Sequence, residues 1–204
     1  RGLAGPTRGT AASPIASACQ QADPWNRERR CVSTESAHRE CEAITGIHDA
    51  FKYVSMVLNA KVYDVCKQSD LHHAPRLSDV TGNRVLLKRE DQQRIYSFKL
   101  RGAYNKIVNL SDEEKARGIC ACSAGNHAQG VAYSASALGL SAKIFMPKTT
   151  PSIKVNAVRG HINEQSEVIL AGDNYDETYA ATMACIEAEG RVLVHPFNDP
   201  LVIA

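Results

Sequence analysis

The sequence lacks several features that would have pointed to particular classes of protein. Its 204 residues contain no apolar run long enough to cross a bilayer, so we expect no membrane partner. The 24 Lys and Arg residues nearly balance the 22 Asp and Glu residues, and the resulting charge of +2 is too small to indicate nucleic acid as a partner. The seven cysteines are odd in number and irregularly spaced, which indicates a reducing compartment rather than a disulfide framework.

Acidic residues are also missing from the first 22 positions. This stretch is rich in Ala, Gly, Ser and Thr, and Arg1 and Arg8 are its only charges. The composition is typical of the end of an organelle transit peptide, and a disordered tail is the alternative. We therefore treat residues 1–42 as a leader or linker. Because the chain begins without Met and ends on an apolar stretch, we expect it to be a fragment.

The rest of the chain alternates between strand and helix patterns. A helical pattern runs from Ile47 to Val62, and His72-His73 is predicted to form a turn. Helices are predicted to begin beside Lys99 and at Pro151, and to span Asn126–Leu138 and Asn174–Gly190, with Ser111 and Glu114 capping a short one between. Strands are predicted at Arg84–Leu87, Gly118–Cys122, Ala142–Met146, Val168–Leu170 and Val192–Val194. This alternation predicts an α/β fold in which helices flank a parallel sheet, with ligands at the carboxyl ends of the strands.

Two sequence runs carry candidate chemistry. In Ser97-Phe98-Lys99-Leu100-Arg101-Gly102-Ala103-Tyr104-Asn105, the Lys99 amine is a potential nucleophile toward an aldehyde, and Gly102 is expected to leave room for a flat ring. The alternative for Lys99 is an ordinary surface lysine. In Ser123-Ala124-Gly125-Asn126-His127-Ala128-Gln129-Gly130, a helix start follows a strand and can attract an anion. We expect Gly125 to allow a sharp turn close to that anion, while Asn126 has the alternative of a simple helix cap.

Both runs resemble motifs of the fold-type II pyridoxal-phosphate enzymes, whose architecture is like that of the tryptophan synthase β subunit. Within this group the amino-acid sequences of the two runs are most similar to those of the biosynthetic threonine deaminase (threonine ammonia-lyase) family. The resemblance extends over about residues 61–204. The resemblance implies pyridoxal 5'-phosphate as cofactor and the deamination of L-threonine to 2-oxobutanoate and ammonia, a step of isoleucine biosynthesis. It also implies L-serine as a second substrate.

The resemblance also implies roles for individual residues. Lys99 would hold the cofactor and act as the catalytic base, with Phe98 beside it, and Asn126 would bond the ring hydroxyl. The substrate carboxylate would be held by the loop Ser123, Ala124, Gly125, Asn126 and His127. The alternative for His127 is that it donates a hydrogen bond to another residue of the site and does not contact the substrate. The charge run Lys88–Asp91 is either a solvated strand end or a neighbour of the active site.

For the whole protein the resemblance implies a large cofactor domain beginning at residues 43–112, a small α/β domain at 113–196, and a return to the large domain at 197–204. It also implies a homo-oligomer, located in the plastid if the leader interpretation is right and in the cytoplasm otherwise. Because no glycine-rich phosphate loop occurs in the sequence, we expect residues 1–204 alone to be inactive.

Two alternatives remain at this point. A serine racemase or a serine/threonine dehydratase of the same family shares the lysine chemistry, although Ala124 and Ala128 differ from the usual racemase loop. A catalytically incompetent fragment is the second. Cys120 and Cys122, with His127 and His195, resemble a zinc set only superficially, because their spacing matches no common structural zinc site, and we expect no metal.

Overall fold

The computed structural model describes residues 47–204, with side chains from residue 51 onward. The predicted leader or linker at 1–42, and residues 43–46 of the predicted large domain, lie outside the described residues. The described part of the chain contains no helix that is long and apolar enough to span a membrane.

Short helices and strands alternate along most of the described chain. The helices are α1 (Ile47–Asn59), α2 (Pro75–Thr81), α3 (Lys99–Val108), α4 (Asp112–Arg117), α5 (Asn126–Ala137), α6 (Ser152–Arg159), α7 (Tyr175–Glu189) and α8 (Pro200–Ile203). The strands are β1 (Leu71–His73), β2 (Leu86–Lys88), β3 (Ile119–Cys122), β4 (Ala142–Met146), β5 (Glu167–Leu170) and β6 (Val192–Leu193). Two 3₁₀ turns, Val62–Asp64 and Glu90–Gln92, complete the set.

Four strands form a parallel sheet in the order β5-β4-β3-β6. The two faces of β3 are both covered, because alternate side chains of a strand point to opposite faces. Ile119 and Ala121 join the main apolar core, whereas Cys120 lies against Cys185 of α7. The predicted parallel sheet flanked by helices is therefore confirmed.

Helices α3 and α5 pack closely at the edge of this core. Gly130 of α5 allows the approach, because a Cβ at this position would lie 3.1 Å from the Lys99 carbonyl oxygen and 3.3 Å from the Ala103 Cβ. Leu100 and Ile107 of α3 are fully buried. The start of α3, with Lys99, is thus fixed against α5 by backbone contact.

The segment that contains α8 is clamped along α3. Asn105 donates a hydrogen bond from its side chain to the Leu201 carbonyl at 2.8 Å, and Lys106 forms a 2.8 Å ion pair with Asp199. A Cβ on Gly102 would overlap the Val202 carbonyl oxygen. The expectation that Gly102 leaves room for a flat ring is therefore wrong, because the backbone of α8 fills that space.

Most predicted elements are present with shifted ends. Ser111 and Glu114 form a complete capping box for α4, and Asn174 caps α7 by accepting from the Glu177 amide. The predicted turn at His72-His73 is wrong, since both residues belong to β1 and pair with Leu87 and Leu86 of β2. Antiparallel pairing with a strand further along the chain leaves no signal in this short polar segment.

The contact between Gly102 and α8 yields a stability prediction. We expect Gly102→Ala to lower the free energy of unfolding by about 1–3 kcal/mol, because a rigid backbone carbonyl must move to admit the methyl group. This exceeds the gain of roughly 0.5–1 kcal/mol that Ala brings to a helix interior. Urea unfolding of the protein that carries this chain measures the difference.

Gly160→Ala is the matched control, because Gly160 has helical backbone angles (φ −68°, ψ −10°) and the nearest described atom to a Cβ there would be the Asn156 carbonyl oxygen, at 3.5 Å. We expect its unfolding free energy to match that of the original protein. A Gly102→Ala variant as stable as this control would contradict the close packing of α8 on α3.

Candidate active site

Three chain segments meet where the carboxyl ends of β3 and β6 approach the start of α3. Between them lies a cavity of about 490 Å³, within the usual range for sites that bind small molecules. Its lining consists of Ser97, Phe98, Lys99, Cys122, Ser123, Ala124, Asn126, His127, Tyr175, Pro196 and Phe197. The lysine run and the asparagine loop predicted from the sequence therefore line one cavity.

Lys99 is the first residue of α3, and its side chain is half-buried. Its Nζ donates a hydrogen bond to the Pro196 carbonyl oxygen at 2.7 Å. The same Nζ lies 5.5 Å from the centre of the Phe98 ring, which is itself 60% exposed. The amine is thus held at the cavity wall by one backbone acceptor and is not a freely solvated surface group.

The loop between β3 and α5 presents its backbone to the cavity. The Ser123 amide is bonded to the Phe145 carbonyl at 3.1 Å, and the Gly125 amide to the Ser123 hydroxyl at 3.2 Å. The first amides of a helix have no intrahelical acceptor, and no side chain caps α5. The free N–H groups of the first turn of α5, together with the positive end of the helix dipole, favour the binding of an anion.

Gly125 serves this loop differently from the expectation. Its φ is −149°, so the turn does not depend on the left-handed conformation that only glycine adopts easily. Within the described part of the chain, no atom lies within 4 Å of where its Cβ would be. The turn therefore does not require glycine, and the open space above the loop leaves the close approach of an anion as a prediction.

Asn126 is the first residue of α5, and Gly125 occupies the cap position. The helix-cap alternative is therefore wrong. The Asn126 side chain is exposed at the cavity, and within residues 47–204 it makes no hydrogen bond. Its amide is free to bond a ligand.

His127 is buried, with 3% of its surface exposed, and its Nε2 lies 2.8 Å from the Val194 carbonyl oxygen. Burial, with smaller contributions from the charges of Lys99 and His195, lowers the pKa of the imidazole to about 4, and the hydrogen bond to Val194 opposes this shift. The ring is therefore neutral at pH 7. Since a carbonyl only accepts, Nε2 carries the proton, and Nδ1, which has no hydrogen-bond partner among residues 47–204, is unprotonated.

Sequence reasoning missed the segment Val194–Phe197, which comes directly after β6. Its carbonyls accept from both His127 and Lys99. His195 packs edge-on against Phe197 with 4.6 Å between ring centres, and its Nδ1 accepts from the Asn198 amide at 2.8 Å. Burial lowers the pKa of His195, Asp199 opposes that shift, and Lys99 adds to it. The only signal in the sequence was the position of this segment after a predicted strand.

Glu90, in the charge run Lys88–Asp91, forms an ion pair with Arg101, which lies two residues after Lys99 in α3. Both carboxylate oxygens of Glu90 accept from the Arg101 guanidinium at 2.8 Å, and the Ser69 hydroxyl donates to the same carboxylate. Gln93 links this pair to the Lys67 backbone in both directions, at 2.8 and 2.9 Å. The network fixes the chain that leads into α3, so Glu90 acts through position rather than by facing the cavity.

The electrostatics of the cavity suit an anionic ligand. None of its described lining residues is acidic, and Lys99 supplies a positive charge beside two imidazoles whose pKa values are lowered. Among residues 47–204, no group of three His, Cys, Asp or Glu side chains is arranged to hold a metal ion. An amine, an unpartnered amide and free helix amides at one cavity fit an aldehyde cofactor that carries negative charge.

Comparison with known proteins agrees with this geometry. Residues 62–204 match the model of the pyridoxal-phosphate dependent enzyme family, and the chain belongs to that family. The fold-type II architecture inferred from the sequence motifs is confirmed. The chain is 50% identical over 152 residues to "L-threonine dehydratase biosynthetic IlvA" of Burkholderia multivorans, covering 74% of this chain and 30% of that protein.

One further curated relative and one solved structure are similar to this chain at comparable identity. "Threonine dehydratase biosynthetic, chloroplastic" of Arabidopsis thaliana is 48% identical over 167 residues, covering 81% of this chain and 28% of that protein. The solved structure of the processed form of threonine deaminase isoform 2 from Solanum lycopersicum has a TM-score of 0.72 and 46% identity, covering 78% of this chain and 45% of the other. The chain spans about a third of the length of the curated relatives it matches.

The network behind Lys99 yields a prediction about stability and pH. Arg101, with Ser69 and Gln93, lowers the pKa of Glu90 from 4.5 to about 2. Glu90 thus stabilises the fold above pH 4.5, and this contribution is lost as the pH falls toward 2. We expect Glu90→Gln to lower the free energy of unfolding by about 1.5–3 kcal/mol at neutral pH.

Denaturant unfolding between pH 2 and 7 measures this difference, which should shrink as the pH approaches 2. Glu164→Gln, at an exposed loop position, is the control and should leave the pH profile unchanged. If the two variants behave alike, the network does not hold the entry to α3.

Proposed function

We propose that the protein to which this chain belongs deaminates L-threonine to 2-oxobutanoate and ammonia with pyridoxal 5'-phosphate, as a threonine ammonia-lyase. The observation that carries this proposal is the Lys99 amine, which lies at the wall of a cavity also lined by the start of α5. The identities of 43–50% to biosynthetic threonine dehydratases support the choice of substrate within the family.

Pyridoxal phosphate, when bound, supplies a ring that takes up the electron pair left when the substrate's α C–H bond breaks. In the proposal, Lys99 holds the cofactor, and after release its amine removes the α-proton. The Pro196 carbonyl, which now accepts from Nζ, keeps the amine in the cavity. Phe98 flanks the amine, and the Asn126 amide bonds the ring hydroxyl.

The loop Ser123, Ala124, Gly125, Asn126 and His127 is proposed to hold the substrate carboxylate. Its backbone amides at the start of α5 are suited to this. The His127 side chain is not suited to it, because a neutral ring whose only proton goes to Val194 offers no hydrogen bond to a carboxylate. We therefore assign His127 a positioning role, in which it fixes the Val194–Pro196 segment that holds Lys99.

Several properties of the whole protein belong to the same proposal. Residues 43–112 begin the large cofactor domain, residues 113–196 form the small domain, and residues 197–204 return to the large one. L-serine is a second substrate and the protein is a homo-oligomer. Plastid location is supported by the plant relatives, whose names read chloroplastic, and by the acid-free first 22 residues. Relatives in bacteria support the cytoplasmic alternative.

A second candidate is serine racemisation, favoured by the likeness to the structure of maize serine racemase, at a TM-score of 0.69 and 27% identity. Both reactions use a lysine to remove the α-proton, so the site chemistry is shared. Incubating the protein with L-threonine and L-serine separates them, since deamination releases a keto acid and racemisation yields D-serine.

The attachment of the cofactor gives the most direct prediction. We expect borohydride reduction of the protein loaded with pyridoxal phosphate to fix the cofactor to Lys99, and peptide mapping locates it. Lys99→Ala should abolish keto-acid production while the far-ultraviolet circular dichroism stays the same, since Ala favours a helix.

Lys154→Ala, at an exposed position of α6, is the control and should keep full activity and full labelling at Lys99. Label on another lysine of the original protein would refute the assignment.

The unpartnered amide of Asn126 gives a second prediction. We expect Asn126→Ala to weaken cofactor binding by about 1–3 kcal/mol, because the ring hydroxyl loses its partner. Unfolding of the cofactor-free protein should be unchanged, since Asn126 neither caps α5 nor bonds another described side chain. Equilibrium titration with pyridoxal phosphate measures the affinity.

Asn156→Ala, on the exposed side of α6, is the matched control. Equal cofactor affinity in the two variants would exclude a contact between Asn126 and the ring.

A further inference from the structure

The described residues include two free thiols that face each other behind the candidate active site. The sulfur of Cys120, in β3, lies 3.9 Å from the sulfur of Cys185, in α7. We propose that these two cysteines form a reversible disulfide when the folded protein meets a peroxide, so that β3 and α7 become covalently joined.

The two thiols differ in a way that suits such a pair. Cys120 is fully buried, whereas Cys185 is partly exposed and can be reached by a small oxidant. The Cys185 thiol also donates toward the Glu189 carboxylate at 3.6 Å. Cys185 is therefore the thiol that reacts first with an oxidant, and Cys120 is the thiol that then reacts with the oxidised Cys185.

Charged side chains surround the exposed thiol. Glu189 is bonded to both Lys143 and Arg191, and these two bonds lower its pKa to about 2, so it stays ionised. Lys143 and Arg191 place two positive charges at the same rim. Both cations are paired with Glu189, so the surroundings of the Cys185 thiol are polar and open to a small hydrophilic oxidant.

The chemistry balances with hydrogen peroxide as the oxidant. The Cys185 sulfur attacks one peroxide oxygen, the O–O bond breaks, and one water leaves as a sulfenic acid forms. The Cys120 sulfur then attacks the Cys185 sulfur, the S–O bond breaks, and a second water carries away the Cys120 proton. The two thiols lose two electrons together, and the peroxide becomes two waters. A dithiol reverses the bond by exchange.

Neither of the other described cysteines offers this arrangement. Cys66 is buried near Arg101 and Glu90, and no thiol within residues 47–204 is paired with it. Cys122 lies on the same face of β3 as Cys120, but its side chain is bonded to Thr182. Burial raises the pKa of Cys120 to about 12 and that of Cys66 to about 11, so proximity rather than acidity distinguishes the Cys120–Cys185 pair.

Peptide mapping of the protein that carries this chain tests the proposal. The folded protein is treated with hydrogen peroxide, the peroxide is removed, the protein is unfolded in the presence of an alkylating reagent that blocks the remaining thiols, and trypsin is added without reductant. Cleavage after Arg117, Lys143, Arg159 and Arg191 places Cys120 on peptide 118–143 and Cys185 on peptide 160–191. We expect these two peptides to appear joined, with the loss of two hydrogens, and to separate in dithiothreitol.

Two variants identify the thiols. Cys122→Ala should keep the joined peptides, whereas Cys120→Ala should lose them and let Cys185 proceed to sulfinic acid, because the remaining thiol of β3, Cys122, is bonded to Thr182 and does not capture the sulfenic acid. Absence of the joined pair in the original protein overturns the proposal. So does a joined pair that survives in Cys120→Ala, because Cys122 would then be the partner.

Discussion

The parallel pairing of β3 with β6 is the constraint on which the candidate site depends. Ile119 pairs with Val192 and Cys120 with Leu193, so the two strands end at the same edge of the sheet. The loop into α5 begins where β3 ends, and the segment that bonds Lys99 and His127 begins where β6 ends. The backbone hydrogen bonds of the sheet therefore bring two stretches that are far apart in the sequence to the same edge.

The position of Lys99 results from three separate restraints. Contact of Gly130 with the Lys99 carbonyl sets the distance between α3 and α5, and the Glu90–Arg101 pair fixes the chain that enters α3. The Pro196 carbonyl then fixes the direction of the amine. A long flexible side chain loses conformational entropy when it is held, so a pre-positioned amine has part of that loss already met before a ligand arrives.

Local patterns in the sequence predicted the local structure well. Strand and helix periodicity, the Ser111–Glu114 capping box and the Asn174 cap are all confirmed, since they depend on neighbours within a few positions. The lysine run and the asparagine loop were expected to act together, and they line one cavity. That expectation came from the resemblance of both motifs to one enzyme family, because no local sequence feature of either run predicts that the two lie together.

The errors and omissions concern contacts between distant residues. The space beside Gly102 is filled by Val202, which no property of the lysine run could indicate. The role of Val194 and Pro196 depends on their carbonyl groups, and every residue has one, so the sequence carries no mark of it. Asn is common at the N-cap position of helices, so the sequence offers a cap as one role for Asn126. The structure places the N-cap of α5 one residue earlier, at Gly125.

These segments of the chain are proposed to form one pyridoxal phosphate site around Lys99. A crystal structure of the protein grown with pyridoxal phosphate tests it most directly. We expect continuous electron density from the Lys99 Nζ into a ring in the cavity beside Asn126, with the Val194–Pro196 segment still bonded to His127. Density for the cofactor on another lysine, or in a cavity that these residues do not line, would contradict the account.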